Sequence, residues 1–206
     1  MNFYWVAHNR TNELYDYILN QRENLTFEEV KQFRYQLSEE KDELIRAYKY
    51  YVCVYNGFSG KVYDTPTKSN LEAFKKRNVK KDFDLINKTL STCDLISEDY
   101  HNVKYSNCLY YCDPPYYKVG KNKNRHDYYG LKGKNHKEFN HEEFSEFIKD
   151  IAKNNYVIIS YEDSEAVRNL YKGWRFIEID KKSSNYNTKT KMGISQNTPE
   201  LLIMNY

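Results

Sequence analysis

The sequence predicts an α/β protein whose sheet is interrupted by a long helical insertion. In the second half of the chain, short apolar runs typical of strands alternate with amphipathic helical patterns, which is the arrangement of α/β folds. Between residues 22 and 105 the spacing of apolar residues is instead mainly helical. We therefore expect residues 1–21 and 106–206 to form the α/β core and residues 22–105 to be an insertion within one 206-residue chain.

The first third of the chain predicts one strand followed by helices. Residues 3–7 are an aromatic, β-prone run, and residues 12–21 have the pattern of an amphipathic helix. Thr26 with Glu29 three residues later is a capping-box signature. The helical pattern then continues to about Asn56 with a break near Ser38.

Further along, Gly57 and Gly60 end the helical pattern, and a weaker helical pattern covers residues 71–95. Asn140 and Glu143 predict a second capping box at the start of an amphipathic helix. The remaining predicted elements are strands at 107–112, 156–160, 176–179 and 201–204, and a helix at 164–171. The last two strands have no helix between them, which predicts an antiparallel pair.

Composition excludes several classes of protein. No apolar run reaches the roughly 18 residues of a membrane span, and the N-terminus lacks a signal-peptide pattern, so we expect a cytoplasmic protein. The four cysteines contain no CxxC pair, which favours free, buried thiols. These cysteines are Cys53, Cys93, Cys108 and Cys112.

Basic residues are concentrated in two stretches, although the formal net charge is only +3. Such a run is either an ordinary solvated surface or a site for phosphates, and the sequence alone leaves both interpretations open. The first stretch contains Lys118, Lys121, Lys123, Arg125, Lys132, Lys134 and Lys137, and the second contains Lys181, Lys182, Lys189 and Lys191.

The strongest chemical signal is Asp113-Pro114-Pro115-Tyr116, which directly follows a predicted strand. Ligands of open α/β sheets bind beyond the carboxyl ends of strands, so this position suits an active site. Proline lacks an N–H group, which leaves nearby carbonyls free to accept hydrogen bonds from a ligand. The plainer alternative is an ordinary turn, because Asp and Pro are common turn residues.

Two acceptors beside an aromatic ring suit the exocyclic amine of a planar base. Asp113 and the Pro114 carbonyl could accept the two N–H hydrogens while Tyr116 stacks on the ring. The nitrogen lone pair would then point outward for attack on a methyl group. A base inside a duplex would have to be flipped out to reach such a pocket.

The segment 109–116 resembles the catalytic motif of Dam-type (D12 class) N6-adenine-specific DNA methyltransferases. The segments 55–60, 93–95, 160–163, 170–173 and 200–206 also resemble parts of that family in the same order. The resemblance implies a Rossmann-like class I methyltransferase sheet, S-adenosylmethionine as cofactor and double-stranded DNA as partner. Its catalytic residues would be Asp113, Pro114, Pro115 and Tyr116.

The family's glycine-rich loop, which cradles the methyl donor, has no match here, since the first glycine is Gly57. The sheet is therefore expected to be N-terminally incomplete. The resemblance leaves Asp94 and Asn9 as the donor-binding candidates, although Asn9 replaces an acid. Either a second subunit supplies the donor loop, or the chain is a shortened product with weak activity. A second subunit would dock on an exposed sheet edge at residues 3–7.

For nucleic acid, the resemblance implies contacts from the first basic stretch together with Asn56 and Phe58. No metal is expected, and His126, His136 and His141 are interpreted as solvated loop residues. Tyr48, Tyr50, Tyr51 and Tyr55 are expected in a helix core. The rival interpretation is a non-catalytic nucleic-acid-binding relic of a methyltransferase. An RNA target or a cytosine-N4 target also stays open.

Overall fold

The computed structural model describes residues 2–57, 60–117, 139–179 and 199–206. The chain divides into two compact units, Met1–Glu98 (unit 1) and Asp99–Tyr206 (unit 2). The helices described in unit 1 are α1 (Asn2–Asn9), α2 (Thr11–Arg22), α3 (Phe27–Gln36), α4 (Glu43–Asn56), α5 (Lys68–Lys75) and α6 (Val79–Leu90). Those of unit 2 are α7 (His141–Ile151) and α8 (Glu165–Leu170), with strands β1 (Leu109–Cys112), β2 (Tyr156–Glu162), β3 (Arg175–Ile179) and β4 (Glu200–Met204).

Side-chain caps set the starts of α3 and α4, the first of them at the predicted capping box. At α3 the Thr26 hydroxyl accepts from the Glu29 backbone N–H at 3.3 Å, and the Glu29 carboxylate accepts from the Thr26 N–H at 2.8 Å. At α4 the Asp42 carboxylate accepts from two backbone N–H groups of the first turn. Each cap satisfies N–H groups that have no partner within the helix. The capping box and the break near Ser38 are therefore confirmed.

The core of unit 1 surrounds α4. Ala47, Tyr48, Tyr51 and Val52 of this helix are buried, and α1, α2, α3 and α5 all contact it. Tyr50 and Tyr55 are partly buried against the same core. The expected helix core of tyrosines is confirmed.

The predicted strand at residues 3–7 is wrong, because these residues belong to α1. Phe3, Val6 and Ala7 are buried at a helical spacing, whereas Tyr4 and Trp5 are each 44% exposed. Burial of one helical face against α4 outweighs the β preference of the aromatic residues. The proposed docking edge for a second subunit at 3–7 is wrong for the same reason.

The expected grouping of residues 1–21 with the second half also differs from the structure. These residues form α1 and α2, which pack on α4 and α6 inside unit 1. The assignment of target recognition to residues 22–105 is not decided by this packing and stays a prediction.

A half-buried ion pair between Arg77, which precedes α6, and Asp82 of α6 is linked to α4 through Tyr51. The Arg77 guanidinium donates to both carboxylate oxygens of Asp82, at 2.5 and 2.7 Å, and the Tyr51 hydroxyl donates to Asp82 at 2.6 Å. The Arg77 guanidinium also lies 3.7 Å from the centre of the Tyr55 ring. Asp82 is 13% exposed, so its charge depends on these partners.

Unit 2 contains a mixed sheet in the order β1-β2-β4-β3. β1 and β2 are parallel, and β4 runs antiparallel to both β2 and β3. The α/β class and the antiparallel pairing of the last two strands are confirmed. Side chains of β2 and β4 pack with those of α7 and α8, and these core residues include Val157, Ile159, Leu201, Ile203, Phe144, Ile148 and Val167.

Two smaller expectations are met only in part. The Asn140 side chain accepts from the Glu143 N–H at 3.2 Å, but the Glu143 carboxylate lies 3.5 Å from His101 instead of completing a capping box. All four cysteines are free, yet Cys93 is exposed while Cys53 is buried. Within the described ranges, no helix has the length and apolar character of a membrane span.

We predict that Asp82→Asn lowers the free energy of unfolding by about 2 kcal/mol, because the half-buried Arg77 guanidinium keeps its charge but loses its anionic partner. The matched control is Asp84→Asn, whose exposed carboxylate pairs with Lys80 at 3.3 Å and should contribute less than about 0.5 kcal/mol. Urea unfolding followed by circular dichroism measures both. Equal effects of the two variants would contradict the assignment.

We also predict that stability falls steeply above pH 10. Burial raises the pKa of Tyr48, Tyr51, Tyr161 and Tyr171 above the ordinary value of 10.0. The folded state keeps these phenols protonated after the unfolded chain has ionised. Their contribution is thus full below pH 10, and each loses about 1.4 kcal/mol per pH unit above it. Urea midpoints at pH 8, 9.5 and 11 test this, and a constant midpoint would contradict it.

Candidate active site

The chain leaves β1 at Cys112 and turns through Asp113, Pro114, Pro115 and Tyr116 at the carboxyl end of the parallel pair β1 and β2. The Pro114 side chain is buried, whereas Asp113 is exposed. Two consecutive prolines restrict the backbone here, since each fixes its φ angle. The structure therefore places the turn at the sheet edge where ligands of open α/β sheets bind.

The Asp113 carboxylate is available to a ligand. It is exposed and accepts no hydrogen bond from any residue within the described part of the chain. A carboxylate in this state offers two acceptor oxygens to a neutral or cationic N–H donor.

The Tyr116 hydroxyl is held by the carboxylate of Glu200. Its hydroxyl donates to Oε1 of Glu200, the first residue of β4, and the Ser160 hydroxyl donates to the same oxygen at 2.7 Å. Burial, and next the hydrogen bond to Glu200, raise the pKa of Tyr116 well above its usual range. The phenol is therefore neutral near pH 7 and remains a hydrogen-bond donor.

Tyr117 packs on the first turn of α7. Its ring stacks on the His141 ring with centroids 4.3 Å apart, and its hydroxyl donates to Glu142 at 2.7 Å. This hydrogen bond raises the pKa of Tyr117 and lowers that of Glu142. Tyr116 and Tyr117, at the end of the turn, are thus each held by a carboxylate, the first from β4 and the second from α7.

His141 is buried, so its interpretation as a solvated loop residue is wrong. Its Nδ1 lies 2.9 Å from the Tyr161 hydroxyl, and Tyr117 covers the ring. The reason is that His141 begins α7 and faces β2. The described residues hold no cluster of three or more His, Cys, Asp or Glu arranged for a metal.

Sequence reasoning missed Glu200, Ser160, Tyr117 and His141. Ser160 is a polar residue inside an apolar run, which is the one local signal that could have marked it. Their meaning depends on strand order, because Glu200 is 84 residues from Tyr116 in the chain.

The two donor-binding candidates both lie in unit 1, whereas Asp113 lies in unit 2. Asp94 is exposed in the segment after α6. Asn9 is the last residue of α1, and its side-chain amide donates to the Trp5 carbonyl at 3.0 Å. The expected turn after a strand does not exist at Asn9, because residues 3–7 are helical.

The expected DNA contact from Asn56 is wrong. Asn56 is fully buried, and its side-chain amide donates to the Val52 carbonyl at 2.9 Å. Its backbone carbonyl accepts from the Asn70 side chain at 3.0 Å. The last turn of α4 points this residue into the protein. Outside the described residues lie Phe58, His126, His136 and both basic stretches, including Lys118, Lys121, Lys123, Arg125, Lys132 and Lys134.

At Gly57, the residue after Asn56, the backbone lies close to the Lys61 carbonyl. A Cβ atom at this position would lie 2.0 Å from the Lys61 carbonyl oxygen, far inside contact distance. Gly60 differs, since it has open space around it and a positive φ of 73°. The segment after α4 therefore needs its two glycines for different reasons.

Comparison with protein families finds a match to the D12 class N6 adenine-specific DNA methyltransferases over residues 1–185. No curated protein matches the chain significantly. The family match spans both units and includes the turn from Asp113 to Tyr116.

We predict that Gly57→Ala lowers the free energy of unfolding by about 2–3 kcal/mol, because the added methyl group displaces the Lys61 carbonyl. Gly60→Ala is the matched control and should cost only about 1 kcal/mol, from its left-handed backbone alone. Urea unfolding measures both. If Gly57→Ala is no worse than Gly60→Ala, the close approach is not a constraint.

Proposed function

We propose that this chain, which belongs to the D12 class of N6 adenine-specific DNA methyltransferases, binds the exocyclic amine of an adenine extruded from duplex DNA. The proposed binding segment is Asp113-Pro114-Pro115-Tyr116. The observation that carries this proposal is the geometry of the turn. An exposed carboxylate without a partner in the described ranges and a fixed tyrosine ring stand at the same sheet edge.

In this proposal Asp113 and the Pro114 carbonyl accept the two N–H hydrogens of the amine. The nitrogen lone pair then faces the methyl group of a bound donor. As the new N–C bond forms, the bond between the methyl group and the donor's sulfur would break and the demethylated donor would leave, while the proton lost by the amine would pass by way of Asp113 to solvent. Catalysis consists mainly of orientation, which contributes by holding reacting atoms in an attacking geometry. Tyr116 stacks on the base, and its neutral phenol suits contact with an uncharged ring.

S-adenosylmethionine is the proposed methyl donor, and it supplies an electrophilic methyl group when bound. The described residues do not fit it as a complete site. Asn9 is committed to the Trp5 carbonyl, and no glycine precedes Gly57 to form a glycine-rich loop. We therefore propose that donor binding needs residues of a second subunit or segment, with Asp94 as the candidate contact from this chain.

DNA is the proposed substrate, bound through phosphate contacts of the basic stretch that begins directly after Tyr117. Such contacts would add affinity without reading sequence and would weaken with salt.

A non-catalytic relic that binds nucleic acid is the second candidate. The commitment of Asn9 within a helix favours it, because the expected ribose-binding turn is absent there. An intact Asp113 and a restrained Tyr116 favour the enzyme. The two candidates differ in a single result, methyl transfer that depends on Asp113.

The test is transfer of a tritiated methyl group from S-adenosylmethionine to mixed-sequence duplex DNA, with the methylated nucleoside identified by mass spectrometry. We expect N6-methyladenine, and we expect Asp113→Asn to lower the rate at least about a hundredfold through loss of an aligned acceptor. Asp150→Asn is the matched control, since Asp150 is an exposed carboxylate of α7 that pairs with Lys153. It should leave the rate unchanged.

Equal rates in wild type and Asp113→Asn would contradict the proposed role of the turn. Calorimetry on the same samples separates the candidates. DNA binding with neither donor binding nor transfer would support the relic, and N4-methylcytosine as product would correct the target base.

A further inference from the structure

The turn from Asp113 to Tyr116 spans a strand of the sheet. It starts at the end of β1, yet the Tyr116 hydroxyl bonds to Glu200 on β4, and β2 lies between these strands. The turn is therefore attached at both ends, by the backbone of β1 and by a side-chain hydrogen bond to β4.

Glu200 is itself held in place by β2. Ser160, which is 2% exposed, donates to the same carboxylate oxygen that receives the Tyr116 hydroxyl. In the strand register Ser160 pairs with Leu202, and Glu162 pairs with Glu200. Ser160 and Glu200 consequently lie on one face of the sheet on adjacent rungs of that face. This second hydrogen bond fixes the orientation of the carboxylate.

We infer that Glu200 is a positioning residue for methyl transfer, because it fixes the position of the Tyr116 ring against the extruded base. This inference rests on the proposed function. A hydrogen bond at the far end of a tyrosine restrains the torsion χ1, which sets where the ring lies. It also favours one ring plane, because a phenol O–H prefers to lie in the plane of its own ring. A charged acceptor makes a shorter and stronger bond than a neutral one, which explains a carboxylate at this position.

The protonation state of Tyr116 agrees with this role. Burial together with the Glu200 contact raises its pKa, so the hydroxyl keeps the proton that it donates to Glu200. Weakening of the acceptor should therefore have two consequences, a less restrained ring and a phenol that ionises more easily.

The test variant is Glu200→Gln, which keeps the size and one acceptor oxygen but removes the charge. The matched control is Glu178→Gln, because Glu178 is a carboxylate of the neighbouring part of the same sheet that contacts Arg168 at 2.6 Å and is 61% exposed. Tyr116→Phe and the double variant Tyr116→Phe/Glu200→Gln complete a cycle.

In the transfer assay we expect Glu200→Gln to lower kcat about tenfold with little change in KM for DNA, since a charged hydrogen bond is replaced by a neutral one. In the Tyr116→Phe background the same change should cost less than about twofold, because the contact is already gone. An equal loss in both backgrounds would overturn the inference, since Glu200 would then act only through stability.

Nitration with tetranitromethane, mapped by mass spectrometry, gives a readout that needs no activity. The reagent attacks ionised phenols, so Tyr116 should be nitrated at least about threefold faster in Glu200→Gln than in wild type. Glu178→Gln should match wild type. An unchanged rate at Tyr116 would overturn the inference whatever the assay shows.

The two proposals fail in different ways. If the wild type shows no Asp113-dependent transfer although nitration of Tyr116 rises in Glu200→Gln, the proposed function is wrong. Glu200 then holds Tyr116 in place but has no role in methyl transfer. If transfer depends on Asp113 but neither kcat nor nitration responds to Glu200→Gln, only the inference about Glu200 falls.

Discussion

One carboxylate oxygen joins three strands of unit 2. Glu200 on β4 accepts hydrogen bonds from Ser160 on β2 and from Tyr116, which ends the turn after β1. Without this contact the turn would lose its hydrogen bond to β4 and would be held by the backbone of β1 at Cys112 and by the contacts of Tyr117 with α7. The position of the Tyr116 ring therefore depends on the strand order, since only the placement of β4 beside β2 brings Glu200 under the turn. A rigid turn over a packed sheet is the general requirement for catalysis by orientation.

The local parts of the fold could be predicted from the sequence because their causes are local. The Thr26 cap, the end of α4 at Asn56 and the strand before Asp113 each depend on residues within a few positions. The antiparallel pairing of the last two strands was predicted from the lack of a helix between them. The position of Asp113-Pro114-Pro115-Tyr116 followed in the same way, since a strand end is a local feature.

The features that the sequence predicts wrongly, or does not predict, depend on contacts between residues far apart in the chain. Residues 3–7 have β-prone side chains, but packing on α4 decides for a helix, and α4 is some forty residues further along. The burial of Asn56 and of His141 likewise depends on which helix face meets the core. Glu200 had no distinguishing signal as the start of an apolar strand, because its role exists only after β4 pairs with β2. Sequence periodicity indicates which faces are apolar but not which elements meet.

The Tyr116 hydroxyl restrains the turn through its hydrogen bond to Glu200. Hydrogen exchange of peptides from 109–117, followed by mass spectrometry in wild type, Tyr116→Phe and Tyr117→Phe, tests it most directly. The two variants each remove one hydroxyl that donates to a carboxylate, toward Glu200 in the first and toward Glu142 in the second. We expect faster exchange around Asp113 in Tyr116→Phe than in Tyr117→Phe, with exchange of α7 unchanged in Tyr116→Phe. Exchange in Tyr116→Phe that matches the wild type would contradict it.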